Sequence, residues 1–266
     1  MPETPQAKRS RRERLIGGKI VRTILSLWAW LVIGGCVIIW LPMMAIVRVV
    51  TAPFDKGRYW TGYLFRKLPV VAGKLNPLWT FRVSGIIPTD PRRPYIVVSN
   101  HESFVDILLI SHLPFEMKWL SKVENFKIPV MGWEMSLAGD VRLTRGEVSS
   151  AADAMRQCAD RLSKKVSVMF FPEGTRSTTG ELGTFKNGAF RLAIETGVPI
   201  LPVAVSGCRS ALLPHDWRLG ISVAEVRVLE PIEVTGMTVN DTYALRDRAR
   251  AAIASELEVL RADLAR

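Results

Sequence analysis

No charged side chain occurs between Ile24 and Val47. As a helix this run extends about 36 Å, long enough to cross a bilayer core. Its apolar surface demands lipid or an unusually large core, so it constrains the setting of everything that follows. The run is too long for the core of a secretory signal, and no small-residue cleavage site comes after it. Gly34-Gly35 and Pro42 interrupt it, and positive charge stands on both flanks. Lys8, Arg9, Arg11, Arg12, Arg14, Lys19 and Arg22 precede it; Arg48, Lys56, Arg58, Arg66, Lys67 and Lys74 follow. With no charge asymmetry to orient a span, the pattern predicts a re-entrant or monotopic hairpin with both ends cytoplasmic. Trp28, Trp30, Trp40, Trp60 and Trp79 fit interfacial anchors. Tyr59 to Leu78 mixes apolar and basic residues and reads as a surface helix on anionic headgroups; a helix packed on the domain is the competing reading.

The remaining length leaves room for one sizeable α/β domain in a chain of 266 residues. A formal charge of +11 suits a polyanion. Combined with an apolar fraction of 48% and a positive mean hydropathy, it points to an anionic membrane surface. The expected location is the cytoplasmic face of a membrane, the inner or plasma membrane in a bacterium. Cys36, Cys158 and Cys208 are widely spaced with no CxxC pair, and the three histidines form no HExxH. Neither a disulfide framework nor a zinc site is indicated, so a metal-free, cofactor-free chemistry is expected. The chain divides into a basic segment at 1–22, membrane-embedded or interfacial helices at 23–78, and a soluble domain at 79–266.

In that domain short β-rich runs alternate with helical patterns. Strands are predicted at Phe81–Val83, Tyr95–Ser99, Lys118–Leu120, Val141–Leu143, Val166–Phe171, Ile200–Ser206 and Ala224–Val234. Helices are predicted at Ser103–His112, Pro129–Ala138, Ser149–Lys164 and Gly188–Thr196. Ser150 with Asp153 reads as the cap of the third of these. From Asp241 onward Leu245, Ala249, Ile253, Leu257, Leu260 and Leu264 form one apolar stripe of a docked helix. Such alternation predicts an α/β fold with a mostly parallel or mixed sheet flanked by helices, plus the N-terminal membrane-embedded helical segment. Sites in such sheets lie at the carboxyl ends of strands.

His101 stands five positions before Asp106 in Asn100-His101-Glu102-Ser103-Phe104-Val105-Asp106, directly after an apolar strand. In one ideal helix that spacing turns the side chains about 140° apart. They meet only if His101 lies in the turn and Asp106 in the first turn of the next helix. The carboxylate can then orient the imidazole and leave its other nitrogen as a base. For an isolated pair, a polar loop capping a helix is the better reading. A second stretch, Phe170-Phe171-Pro172-Glu173-Gly174-Thr175-Arg176-Ser177, follows another strand. Gly174 permits close approach of a ligand, Thr175 offers a hydroxyl, and Arg176 has the fork that fits a phosphate. Glu173 would orient Arg176 or bind a substrate hydroxyl. A third, around Arg145, ends a further strand and reads alone as a solvated loop. Lys186, opening a helix, could add to phosphate attraction or be a plain surface lysine. Gly197 to Gly207 is an apolar strand wall, more plausibly lining an acyl-chain pocket than supplying chemistry. Ser103 reads as capping or packing, and His112 and His215 as structural.

These four stretches, in this order and spacing, resemble the 1-acylglycerol-3-phosphate O-acyltransferases among the glycerolipid acyltransferases. The likeness covers roughly Trp79 to Gly207. NHESFVD fits the family's NHxSxxD block, and FPEGTRS its FPEGTRS block. The resemblance implies an acyltransferase domain at 79–266, an acyl-CoA or acyl carrier protein donor, a lysophospholipid acceptor and no metal. It makes His101 the catalytic base and Asp106 its orienting partner. Glu173, Gly174, Thr175 and Arg176 would hold the acceptor's glycerol phosphate, with Arg145 matching the arginine of a further block. Thr144 stands where the family commonly has an acidic residue, which bears on the acceptor. The same chemistry on glycerol 3-phosphate or a lyso-aminolipid is the alternative within the class. Outside it stand a scaffold and a nucleic-acid binder. The second is disfavoured because the basic residues adjoin a hydrophobic anchor and no nucleic-acid module is present.

Overall fold

The computed structural model describes residues 18–177, 179–212 and 216–265. Lys8 to Arg14 and His215 therefore lie outside the described residues. Helix α1, Lys19–Thr51, runs for 33 residues, about 50 Å. Gly34, Gly35 and Pro42 do not break it, which corrects the hairpin expected inside the run. Glycine costs a helix only about 1 kcal/mol, and a continuous helix is the form that satisfies every backbone group of an apolar segment internally. The hairpin comes later, at residues 52–58, before α2, Tyr59–Leu75. There the Asp55 carboxylate accepts the N–H groups of Tyr59 and Trp60, both at 2.9 Å, and so caps α2.

α1 is the one helix among the described residues long and apolar enough to cross a membrane. It is also docked along its length. The Arg22 guanidinium donates to the Leu219 carbonyl at 2.9 Å and pairs with Asp216, and Trp30 Nε1 donates to the Trp217 carbonyl. Trp28 and Trp40 donate to Leu75 and Leu64. Its other side leaves Ile20, Ile24, Leu31, Ile38, Ile46 and Val49 exposed. Trp79, expected among the anchors, is buried in the core instead.

α2 is not the surface helix its composition suggested. Tyr59, Phe65, Arg66, Leu68 and Ala72 are buried between α1 and the sheet. Arg66 reaches Asp140 through two hydrogen bonds of 2.8 and 2.9 Å, and Lys118 pairs with Glu116 at 2.7 Å. Asp140 draws Arg66 inward, while Lys74 of the same helix stays exposed.

Seven strands form one mixed sheet: β1 (Trp79–Gly85), β2 (Ile96–Ser99), β3 (Met117–Lys122), β4 (Val141–Leu143), β5 (Ser167–Phe170), β6 (Ile200–Ser206) and β7 (Ser222–Val228). Their order is β1-β7-β6-β2-β5-β3-β4, every pair parallel except β6 with β7. β7 stops at Val228 rather than Val234; beyond it only Ile232 bridges back to Ile200. The connecting helices are α3 (Val105–Ile110), α4 (Met131–Ala138), α5 (Val148–Ser163), α6 (Gly188–Thr196) and α7 (Thr242–Leu264). Ser150 does not cap α5, because its Oγ accepts the Thr144 N–H.

β2, β5 and β6 are buried at every position, so their continuous apolar runs are those of strands covered on both faces. Val97, Leu201, Val203 and Val205 face one core, with α3 and part of α1. Val98, Ile200 and Ala204 face the other, under α5, α6 and α7. β6 is thus a packed central strand rather than the wall of a pocket.

Candidate active site

β2, β5, β3 and β4 run parallel, so their carboxyl ends share one edge of the sheet. His101 leaves β2 at that edge. Asp106 sits in the first turn of α3 and is fully buried. The two meet, with His101 Nδ1 2.8 Å from Asp106 Oδ2. The same oxygen accepts the backbone N–H groups of Glu102 at 2.7 Å and Ser103 at 2.9 Å. That carboxylate pairs with the histidine and closes the turn leading into α3, while the helix itself has no side-chain cap. Ser103 Oγ accepts the Val105 N–H, which tightens the same turn. The helix begins at Val105 rather than Ser103 because these side chains close the turn first, and it ends at Ile110.

With Nδ1–H donating to the carboxylate, His101 Nε2 is left without a hydrogen bond among the described residues, on a side chain 14% exposed. The loop is clasped by the stretch after β5. The His101 N–H donates to Glu173 Oε1 at 2.8 Å, and the Ser177 N–H donates to the His101 carbonyl at 2.8 Å. Phe171 stacks on the imidazole, with ring centroids 3.8 Å apart at 12°. Glu173 Oε2 accepts the Gly183 N–H, so both its oxygens bind backbone. Asn100 pairs through its amide with both backbone groups of Val205, at 2.8 and 2.9 Å, and ties the loop to β6.

The proposed ligand-binding side chains are arranged differently. Thr175 and Arg176 are exposed, and Arg176 makes no hydrogen bond or ion pair among the described residues. Gly174 has φ +76°, and a Cβ there would lie 2.8 Å from Lys186 Nζ. Lys186 thus lies across the Gly174 turn, beside the stretch that clasps His101. Arg145 is exposed past β4, three strand spacings from β2, about 14 Å along the sheet. The structure therefore ties the stretch that carries Arg176 to the His101 loop through Ser177, and places Arg145 past the strand at the far end of the edge. Among the described residues no group of His, Cys, Asp and Glu is gathered as for a metal.

Several positions were not singled out in the sequence. Phe171 and Asn100 fix the histidine. Lys122 ends β3, between the strands that precede Arg176 and Arg145; a lysine closing an apolar strand at the same edge was the available signal. Glu102 meets Arg261 of α7 at 3.3 Å beside a cleft of about 350 Å³. Burial, reinforced by the Asp106 charge, pushes Glu102 up to about 7, against the pull of Arg261. His112 is structural: its ring nitrogen bonds the Leu108 carbonyl and its edge meets Phe81.

This geometry agrees with the comparisons to known proteins. Residues 80–206 match the family model described as Acyltransferase. A 1-acyl-sn-glycerol-3-phosphate acyltransferase of Chlamydomonas reinhardtii is 31% identical over 95% of this chain and 74% of that protein. The chain belongs to the 1-acyl-sn-glycerol-3-phosphate acyltransferase family. A chloroplastic member from Brassica napus is 39% identical over 63% of this chain and 47% of its own length. The chain spans about half the length of the plastid relatives it matches in Brassica napus and Arabidopsis thaliana. The crystal structure of the 1-acyl-sn-glycerophosphate acyltransferase PlsC from Thermotoga maritima superposes with a TM-score of 0.77 at 26% identity, over 92% of this chain and 98% of that one. The likeness to that structure extends over nearly the whole of both chains.

Proposed function

We propose that the chain transfers a fatty acyl group from an acyl thioester to the free hydroxyl of 1-acylglycerol 3-phosphate, yielding phosphatidic acid. The His101–Asp106 pair at the carboxyl edge carries this reading. His101 Nε2 removes the acceptor's hydroxyl proton as that oxygen attacks the thioester carbonyl. The tetrahedral intermediate then expels the thiolate, which takes the proton back from the imidazolium. Asp106 keeps the other proton on Nδ1 and stabilises the imidazolium. The donor is acyl-CoA or acyl carrier protein, and the reaction so written needs no metal or organic cofactor.

Arg176 holds the acceptor phosphate, with Lys122 and Arg145 extending the positive edge; the phosphate's binding energy orients the hydroxyl. Glu173 acts on the histidine loop rather than on substrate, since its carboxylate is occupied by two N–H groups. α1 lies in the plane of one leaflet at the cytoplasmic face. The domain flanks it from Arg22, bonded to Leu219, to Cys36, clustered with Met135 and Ala138, about 21 Å of its length, which a perpendicular span would draw into hydrocarbon. The test is an acceptor panel with detergent-purified protein and both donor types. Lysophosphatidate should be acylated, and His101→Ala should abolish transfer. Full activity in that variant, or equal turnover of acceptors without phosphate, overturns the reading.

A further inference from the structure

We infer that the exposed apolar patch of Ile128 and Trp133 is a second membrane contact, seating the active edge of the sheet on anionic headgroups. The inference rests on the membrane attachment proposed for α1. Ile128, in the connection between β3 and α4, is 49% exposed, and Trp133, in the first turn of α4, is 59% exposed. That connection is rigidly made. The Met131 N–H donates to the Pro129 carbonyl at 2.7 Å and the Gly132 N–H to the Ile128 carbonyl at 2.8 Å. A Cβ on Gly132 would collide with the Phe126 carbonyl oxygen, so the chain passes too close there for any side chain. Val130 is held at φ +64°, an unfavourable conformation for a β-branched residue. The turn therefore maintains strain while presenting two large apolar side chains outward.

The surroundings select the occupant. Lys122, Lys127 and Arg142 are exposed around the patch, against Glu124 as its exposed acid. Beneath it, Glu134 is buried with neither carboxylate oxygen hydrogen-bonded, and burial pushes it up to about 8, so it adds little negative charge near neutral pH. Tryptophan and isoleucine ringed by cations fit the headgroup–acyl boundary of an anionic bilayer. The helix that carries Trp133 is also fixed to α1: Met135 and Ala138 of α4 share one buried cluster with Val32, Cys36 and Met44 of α1. Because Lys122 ends β3, the contact faces lipid beside the site.

The native cysteines Cys36, Cys158 and Cys208 are buried, so an introduced cysteine can be labelled selectively with a solvatochromic dye. Ile128→Cys, Ile46→Cys on α1 and Val239→Cys on the opposite side of the sheet are compared on phosphatidylglycerol vesicles, using the full chain. Blue shifts at 46 and 128 and none at 239 are expected. A shift at 46 alone removes the patch and leaves the attachment standing; a shift at neither removes both. A shift at 128 that grows with protein concentration without vesicles assigns the patch to a second copy and overturns the lipid assignment. In parallel, Trp133→Asp should raise the KM for bilayer-embedded lysophosphatidate about tenfold and leave that for a dispersed short-chain analogue unchanged. Equal loss on both would overturn the inference, and the labelled Ile128→Cys protein decides it should Trp133→Asp not fold.

Discussion

His101 is held by the Asp106 carboxylate, the Glu173 carboxylate, the Ser177 amide and the Phe171 ring, whereas Arg176 and Arg145 stand exposed with no protein partner among the described residues. Both groups belong to one edge of one sheet. A base has to be oriented before the substrate arrives, because its tautomer and direction decide whether a proton can move. A cation meant for a phosphate gains nothing from an internal carboxylate, which would have to be displaced first. On the proposed function, the difference separates residues that set the rate from residues that set acceptor affinity.

The largest expected effect tests the rate-setting side. His101→Ala should lower kcat by about 10³–10⁴, with vesicle binding and the melting temperature nearly unchanged. A loss of only a fewfold in purified protein would dissolve the contrast. Asp106→Asn should cost about 10²–10⁴ in kcat and also lower stability, by about 1–2 kcal/mol, because its carboxylate closes the turn through Glu102 and Ser103. Chemical denaturation beside single-turnover rates separates the two losses.

Glu173→Gln and Arg176→Ala sharpen the contrast from either side. An amide has one oxygen to offer where Glu173 uses two, so one N–H is left unsatisfied and the loop loosens. Roughly tenfold lower kcat at unchanged acceptor KM is expected; a raised KM alone would make Glu173 a substrate ligand. Arg176→Ala should do the reverse, raising the lysophosphatidate KM about 10- to 100-fold. Arg145→Ala should do less, since β4 is farther from His101. The smallest effect lies outside the site. Glu134 titrates near 8 when folded against its ordinary 4.5, so the folded chain keeps a proton that the unfolded chain has released. Stability from this group therefore falls as pH rises from about 4.5 to 8. Glu134→Gln should be more stable than the parent at pH 8, by roughly 1–3 kcal/mol, with the gap closing toward pH 5 in thermal melts.

The two motif stretches were legible because the constraints on them are local. A histidine in the turn after an apolar strand and a carboxylate in the first turn of the next helix need only five residues of chain to meet. The alternating strands and helices and the α7 stripe likewise follow from period, and the mixed sheet agrees with them. What period cannot say is which acceptor a charged group will find. Arg66 looks like any other basic residue of 59–78, yet Asp140, 74 positions away, draws it inward. Glu173 looks like a ligand of substrate until the His101 and Gly183 amides occupy it.

The sequence by itself determined the apolar run, the class of fold, the residues that could act as base and anion clamp, and the edge of the sheet at which they emerge. Only the tertiary structure decided that α1 is unbroken and docked on the domain, that α2 is buried, and that Phe171 stacks on His101. It also decided that the stretch carrying Arg176 clasps the His101 loop while Arg145 follows a strand three places away, because strand order is not written in strand sequence. Period and motif are short-range properties of the chain; pairings across a hundred residues are settled by which buried polar groups find partners and which apolar faces close against each other.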